Sequence, residues 1–416
     1  MDRRRLLGVV LVGLVVLAVT ACGGASGSST ASATPFPIGF ELELSGPFAA
    51  NGKQIQDGWY LGLHDFGDTV AGRKIEATFV DEQGDPNVAL TQARQLWQVN
   101  HVQMLEGPTA ANAAAAVASF TGPNRIPVDD VALCSSQQLD SYRRYGNGYA
   151  SAWSCDQPSI IAAQWAYEQG YRHVTTVGMD YAYGWEGIGS FVAAFRKLGG
   201  TIDREIWGPQ STADWSPYVT QIPADTQAVF ALMAGAESVR FTNAYGQFGL
   251  NRRIPLIGNT TLFDQSALPS ENPAYVQGSK MAAQYCDGID TPANRRFVDE
   301  VHRRYGDYPG YYTYTGYVKA ERVVAALRKL QGKVNGSRAL IQALQSVKVA
   351  APTGTVTLSP VTHSPVQNIF ICQVEMVGGS LHNVPIKTYR SVNPWGILSP
   401  AEWESVFRRD SAGRPT

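Results

Sequence analysis

Charge is scarce in this chain of 416 residues: Lys, Arg, Asp and Glu together make up 17%, and they balance to a formal net charge of −1. No block of like charge stands out, which excludes a polybasic grip on nucleic acid or on an acidic partner. Histidine is limited to positions 64, 101, 173, 302, 363 and 382, scattered and without metal-ligand spacing or an obvious nucleophile beside it. The chain also lacks a Walker-A loop, a His-Glu-x-x-His pair and a Gly-x-Ser-x-Gly elbow. A Gly-x-Gly at Gly146–Gly148 has no third glycine and no helix behind it, and reads as a turn. These absences lead to the expectation of a protein that is not an enzyme and holds no cofactor or metal.

Long apolar runs are missing too. The longest, Leu6 to Val19, has 14 residues, whereas a bilayer-spanning helix needs about 20. It follows Arg3, Arg4 and Arg5 and ends at Val19-Thr20-Ala21, the pattern of a secretory signal peptide over residues 1–21. Cys22 comes directly after, and resembles the lipidated cysteine of bacterial lipoproteins, with residues 22–36 as a flexible Gly/Ser/Ala/Thr linker. An ordinary secretory signal with an incidental cysteine is the other reading. Export leaves Cys134, Cys155, Cys286 and Cys372, an even number suited to disulfides. Three pairings are open. Cys134–Cys155 is the local one, and Cys286–Cys372 would then be the distant one.

What the chain does have is regular alternation. Folded sequence begins with the strand "FPIGFELEL", then a helix on which Ile55, Trp59, Leu63 and Phe66 recur at helical spacing. "RKIEATFVD", "VQMLEG" and "RIPVDD" read as strands with helices between them, one opened by Asp85 as N-cap and Pro86 at the first helical position. A second series runs from Cys155: helix 157–169, strand "HVTTVGMD", helix 184–198, a strand near 201–207, helix 215–221, strand "QAVFALM", helix 237–248 and strand "IPLIG". Later elements are a strand at 277–285, helices at 292–305, 313–330 and 337–347, and the strand "NIFICQVEMV". Two such series predict an α/β fold of two Rossmann-like lobes joined by crossover hinge segments. The expected partition is 37–154 plus 287–361 for the first lobe, 155–286 plus 362–395 for the second, and 396–416 as a tail.

Ligands of open α/β sheets sit beyond the carboxyl ends of the strands, so candidate site residues are sought there. After "VQMLEG" come Thr109, Ala111 and Asn112 at a helix start, a seat for a carboxylate; the plainer reading of Thr109 is a helix cap. Asp129 and Asp130 end the next strand and suit an ammonium or amide donor, or else a salt bridge to Arg125, Arg143 or Arg144. Tyr183 offers a ring and a hydroxyl, or simply packs its helix. Ala236, Glu237 and Thr260 occupy equivalent places in the second series.

Several stretches resemble the extracellular substrate-binding proteins of ABC importers, in the branch typified by the leucine/isoleucine/valine-binding protein. They are "ELSGPFAANGKQIQDG", "VDEQGDPNVALTQARQL", "MDYAYGWEGIGSFVAAFRKLGG" and "YTYTGYVKAERVVAAL", spread over residues 37–375. The resemblance implies the type I periplasmic-binding-protein fold, a ligand carboxylate near Thr109–Asn112 and a ligand contact at Tyr183. Asn51 falls where branched-chain binders use an aromatic residue. The family's loop serine corresponds to Ala111 or Asn112, its Ala-Thr pair to the Asp129–Cys134 stretch, and the acid that binds an α-amino group to Thr260. Asp130 or Glu237 then supplies the missing charge, or the ligand is an amide, a polyol or an aromatic acid. The expected function is a monomeric, lipid-anchored receptor on the outer face of a bacterial, Gram-positive membrane. It delivers an amino acid or related amide or carboxylate to ABC permease subunits. The alternative is a sensor of the same fold docking on a signalling partner.

Overall fold

The computed structural model describes residues 34–410 and 412–414; the signal segment, Cys22 and most of the linker lie outside the described residues. Strands β1 (Phe36–Leu42), β2 (Thr69–Val70), β3 (Arg73–Asp81), β4 (Met104–Glu106), β5 (Val128–Asp130) and β6 (Gly148–Ala150) form one sheet, in the order β2-β3-β1-β4-β5-β6. All its pairings are parallel except β2 with β3. The near-continuous burial of β1 follows from that topology, since a parallel strand with helices on both faces has no wet side.

The second sheet takes β7 (His173–Met179), β8 (Thr201–Gly208), β9 (Ala228–Leu232), β10 (Leu256–Asn259) and β11 (Lys280–Ala283), then β12 (Val349–Ala351), β13 (Gly354–Leu358), β14 (Pro365–Val377) and β15 (Ser380–Val392). Its order is β12-β13-β14-β11-β10-β9-β7-β8, with β15 paired to β14. The parallel part ends at β11, where β14 runs antiparallel. β12 and β13, which the sequence reading groups with the first lobe, hydrogen-bond as a hairpin onto β14 in the second.

Helix starts follow their local chemistry. Asp85 accepts from the amides of Asn87 (2.7 Å) and Val88 (3.2 Å) at the head of helix Pro86–Gln98. Gly146, at φ 62°, ends helix Ser136–Tyr145, which is the role of the turn read at Gly146–Gly148. Helix Tyr311–Lys329 crosses back to the first lobe and lies against helix Ala49–Phe66, backbone to backbone. A Cβ on Gly58 would meet Thr313 O at 1.9 Å, and one on Gly316 would meet Ile55 O at 2.0 Å.

The chain moves from the first sheet to the second after β6, crosses back to the first lobe with helices after β11, and joins the second sheet again at β12. A disulfide sits at two of these passages: Cys134–Cys155 (Cα–Cα 5.2 Å) and Cys286–Cys372 (Cα–Cα 6.6 Å). Several elements have no counterpart in the sequence reading, among them β2, β6, β12, β13, β15 and the helices Ser136–Tyr145 and Pro400–Asp410. Helix Pro400–Asp410, within the expected tail, buries Trp403 and Phe407, and Trp403 Nε1 donates to Asp156.

Candidate ligand-binding site

A cavity with about 530 Å³ of empty space, its open mouth included, lies where the carboxyl ends of both sheets face each other. The first sheet contributes Glu43, Phe48 and Asn51 beyond β1, Pro108 to Ala111 and Ala114 beyond β4, and Val131, Ala132 and Cys134 beyond β5. The second contributes Tyr181 and Tyr183 beyond β7, Gln210 beyond β8, Ala234 beyond β9 and Thr261 beyond β10. Trp153 comes from the first passage, and Tyr312 from the first turn of helix Tyr311–Lys329. Every segment but that of Tyr312 follows a strand end, as expected for this kind of sheet.

Helix starts dominate the wall. Phe48, Ala110 and Tyr181 are at once lining residues and the N-caps of helices Ala49–Phe66, Ala111–Thr121 and Ala182–Lys197, and none of them caps its helix with a side chain. Elsewhere Asp85, Ser135, Asp156 and Thr291 do cap theirs. Three helix N-termini without side-chain caps, the first of them continued backward by the turn Gly46–Phe48 whose Gly46 O takes the Ala49 amide, therefore turn partial positive charge toward one space. One of them is partly filled already. Glu82 Oε1 accepts from the amides of Thr109 (2.6 Å) and Ala110 (3.0 Å). Gly107 lets the chain ahead of this helix pack on the β1 backbone: its φ is 92°, and a Cβ there would lie 2.2 Å from Glu41 O.

Tyr183 has a defined polarity. Thr261 Oγ1 gives its single hydrogen to Met233 O (2.5 Å), so the Tyr183 hydroxyl, 2.6 Å away, donates to Thr261. The Tyr183 oxygen keeps a lone pair for another donor. Its ring meets Trp153 edge-on at 5.3 Å, and Tyr181 is 6.1 Å away. Trp153 Nε1 is a buried donor without a partner.

Of the residues expected from sequence, Asn51, Thr109, Ala111 and Tyr183 line this cavity. Asn112, Asp130, Ala236, Glu237 and Thr260 do not. Asp130 faces the core, taking hydrogen bonds from Gln138 Nε2 (2.8 Å) and the Tyr142 hydroxyl, and burial pushes its carboxyl up to about 7. The salt bridges weighed for the pair are absent among the described residues, and Asp129 meets Lys319 Nζ at 2.9 Å instead. Glu237 accepts from the Ser211 amide, and burial raises it to about 7. Thr260 Oγ1 turns to Ala282 O (3.2 Å) and Gln284 Oε1 (3.0 Å), while its neighbour Thr261 takes the cavity side. Ala236 starts its helix behind Ala234. Asn112 points a buried, unpartnered Oδ1 elsewhere.

Sequence reasoning missed Glu43, Phe48, Trp153, Tyr181, Gln210 and Tyr312. The alternation Glu41-Leu42-Glu43 at a strand end was the available signal for Glu43, because period two keeps both acids on one side. Burial pushes Glu43 up to about 8, with the Asp81 carboxylate adding to it. No Lys, Arg or His lines the cavity. Among the described residues, no group of three or more His, Cys, Asp or Glu could hold a metal ion.

Residues 35–380 match the family model of the periplasmic binding proteins. The chain belongs to that family. A Leu/Ile/Val-binding protein homolog of Brucella melitensis is 27% identical over 382 residues, 89% of this chain and 95% of that protein. Among solved structures, an ABC-transporter solute-binding protein of Rhodopseudomonas palustris, in complex with 3,4-dihydroxybenzoic acid, is 29% identical with a TM-score of 0.81. It covers 87% of this chain and 98% of its own. An ABC-transporter substrate-binding protein of Sphaerobacter thermophilus is 32% identical, with a TM-score of 0.80 over 86% of this chain and 98% of its own. This periplasmic binding protein is a two-lobed, non-enzymatic solute-binding component of an ABC transporter. No described helix is long and apolar enough to cross a membrane.

Proposed function

We propose that this protein, anchored by lipid on Cys22, closes its two lobes around a small carboxylate with an apolar body and presents it to ABC permease subunits. The observation that carries this reading is the convergence of three helix N-termini without side-chain caps on a cavity walled by Phe48, Trp153, Tyr181, Tyr183 and Tyr312. Free amides and helix dipoles favour an anion, and the rings favour the rest of the molecule. The relatives fit, since one is named for leucine, isoleucine and valine and another holds a dihydroxybenzoic acid. Hinge residues would lie in the three passages between the sheets, the first two of them beside the disulfides.

A thermal-shift panel of amino acids, aromatic acids, aliphatic carboxylates, amides and sugars tests the ligand class. The reading expects stabilisation by carboxylates and none by sugars. Stabilisation by sugars alone, or by nothing in the panel, contradicts it. For the anchor, Cys22→Ser should move the protein from the membrane fraction to the medium. Retention in the membrane would refute lipidation there.

A further inference from the structure

We propose that helix Pro400–Asp410 is a strap across the two lobes, fixed to the second and clasping the first through exposed ion pairs that favour the closed form. The strap thereby sets how tightly the cargo is kept. This goes beyond the functional reading above and rests on its closing motion.

The helix lies beyond residues 35–380, the stretch shared with the family. Its attachment to the second lobe is deep. Trp403, Phe407 and Asp410 are buried. Trp403 Nε1 donates to Asp156 at the head of helix Gln157–Glu168. Asp410 packs on Gly189 of helix Ala182–Lys197, where a Cβ would meet its Oδ2 at 1.8 Å, and Glu402 pairs with Lys197 at the far end of that helix. Pulling this face away would wet two large aromatic rings, which the hydrophobic effect opposes.

The attachment to the first lobe is of the opposite kind. Helix Ser136–Tyr145 belongs to that lobe, between β5 and β6. Arg408 grips Asp140 of this helix with both Nη atoms, at 2.8 and 3.2 Å, and turns its Nε to Glu404 at 2.9 Å. Glu404 accepts from Arg143 at 2.8 Å, and Arg143 donates onward to Val361 O in the loop between β13 and β14. Charges alternate along Asp140, Arg408, Glu404 and Arg143, so each partner supports the next. All four side chains remain 30–56% exposed. Water competes for such pairs, and they open and reform at small cost.

The lobes described are closed on each other. Beside the cavity, a Cβ on Gly235 of the second lobe would lie 2.8 Å from both Pro47 O and Phe48 Cδ1 of the first. A motion that parts Gly235 from Phe48 turns one lobe against the other. The strap travels with the second lobe, so that motion shifts Glu404 and Arg408 relative to Asp140 and Arg143. Pairs made in the closed form and lost in the open one favour closing, and by linkage a ligand that closes the lobes strengthens the pairs.

The test is small-angle X-ray scattering of the full chain, alone and with leucine, benzoate or 3,4-dihydroxybenzoate, together with calorimetric Kd values for the compounds that bind. The variants are Glu404→Gln with Arg408→Gln, and the charge exchange Asp140→Arg with Arg408→Asp; none of these positions lines the cavity. The double glutamine variant should show a larger radius of gyration without ligand and bind about three- to tenfold more weakly, the worth of one or two networked surface pairs. The exchange should restore both. Raising salt from about 0.1 M to about 1 M shortens the Debye length from about 10 Å to about 3 Å; this should open the wild type and leave the double glutamine variant unmoved. The ligand-free radii decide the matter even where no compound of the three binds. Equal radii and Kd values in wild type and double glutamine variant would overturn the strap and leave the carboxylate reading standing. So would an exchange variant that stays as open as the glutamine one, because a pairing role survives exchange and a packing role does not. A wild type that binds a carboxylate without compacting would overturn the closing motion and the strap together.

Discussion

A single hydroxyl hydrogen decides what Tyr183 offers a ligand, because Thr261 has already given its own to Met233. Tyr183→Phe should therefore lower affinity several-fold and cost about 1 kcal/mol of stability, the usual worth of one buried hydrogen bond. Calorimetry of folding and of binding measures the two separately; an unchanged Kd would exclude a ligand contact at that oxygen. Buried carboxyls make a second prediction. Burial raises Glu43 and Glu271 to about 8 and Asp130 to about 7, against about 4 in an unfolded chain. The folded protein holds more protons than the unfolded one between these values. The stability these groups contribute is complete below about pH 4 and is lost as pH rises toward 8. The Tm of the ligand-free protein should be higher at pH 5.5 than at pH 8.5, and Glu271→Gln should flatten the difference. A Tm that climbs over this interval would contradict the assignment. At this scale the sequence placed Asn51, Thr109, Ala111 and Tyr183 on the cavity wall and missed others by a position or two. Thr260 for Thr261 is a one-residue offset set by neighbours at a strand end pointing opposite ways, and Ala236 for Ala234 arises because the chain turns at Gly235 (φ 58°) and Ala236 already belongs to the helix.

The elements that carry Asn51 and Tyr312 are held by a close helix crossing. Helices Ala49–Phe66 and Tyr311–Lys329 meet through Gly58 and Gly316, where no Cβ fits. Gly316→Ala should push them apart, costing about 1–3 kcal/mol and displacing one cavity wall. Denaturant titration together with ligand affinity checks this, and wild-type values for both would refute it. Lys319 pins the same helix to the first sheet, with Nζ 2.8 Å from Glu106 and 2.9 Å from Asp129, all three side chains out of solvent. Lys319→Met leaves two buried acids uncompensated and should cost about 3–5 kcal/mol; denaturation near pH 7 would show it. Both helices were legible in sequence because apolar periodicity and start signals are local. Helix Pro400–Asp410 was not, since its partner is distant: a Cβ on Gly189 would lie 1.8 Å from Asp410 Oδ2, and that contact has no trace in either segment alone.

Across the whole molecule, two alternating series announced two sheets, and the facing strand ends announced a cleft. Cysteine positions alone left three pairings open, and the fold brings Cys134 to Cys155 and Cys286 to Cys372 at the passages between the sheets. What remained illegible was the chemistry of the enclosed space, which depends on side chains drawn at once from seven strand ends, the first passage between the sheets and the start of helix Tyr311–Lys329. The central claim is that this space carries the cargo. Its most direct test is mass spectrometry of small molecules retained by the purified protein, compared with Ala114→Trp, which fills the cavity from its wall. The account predicts one small carboxylate per wild-type chain and none in the variant. The same molecule retained equally by both would place the binding site elsewhere.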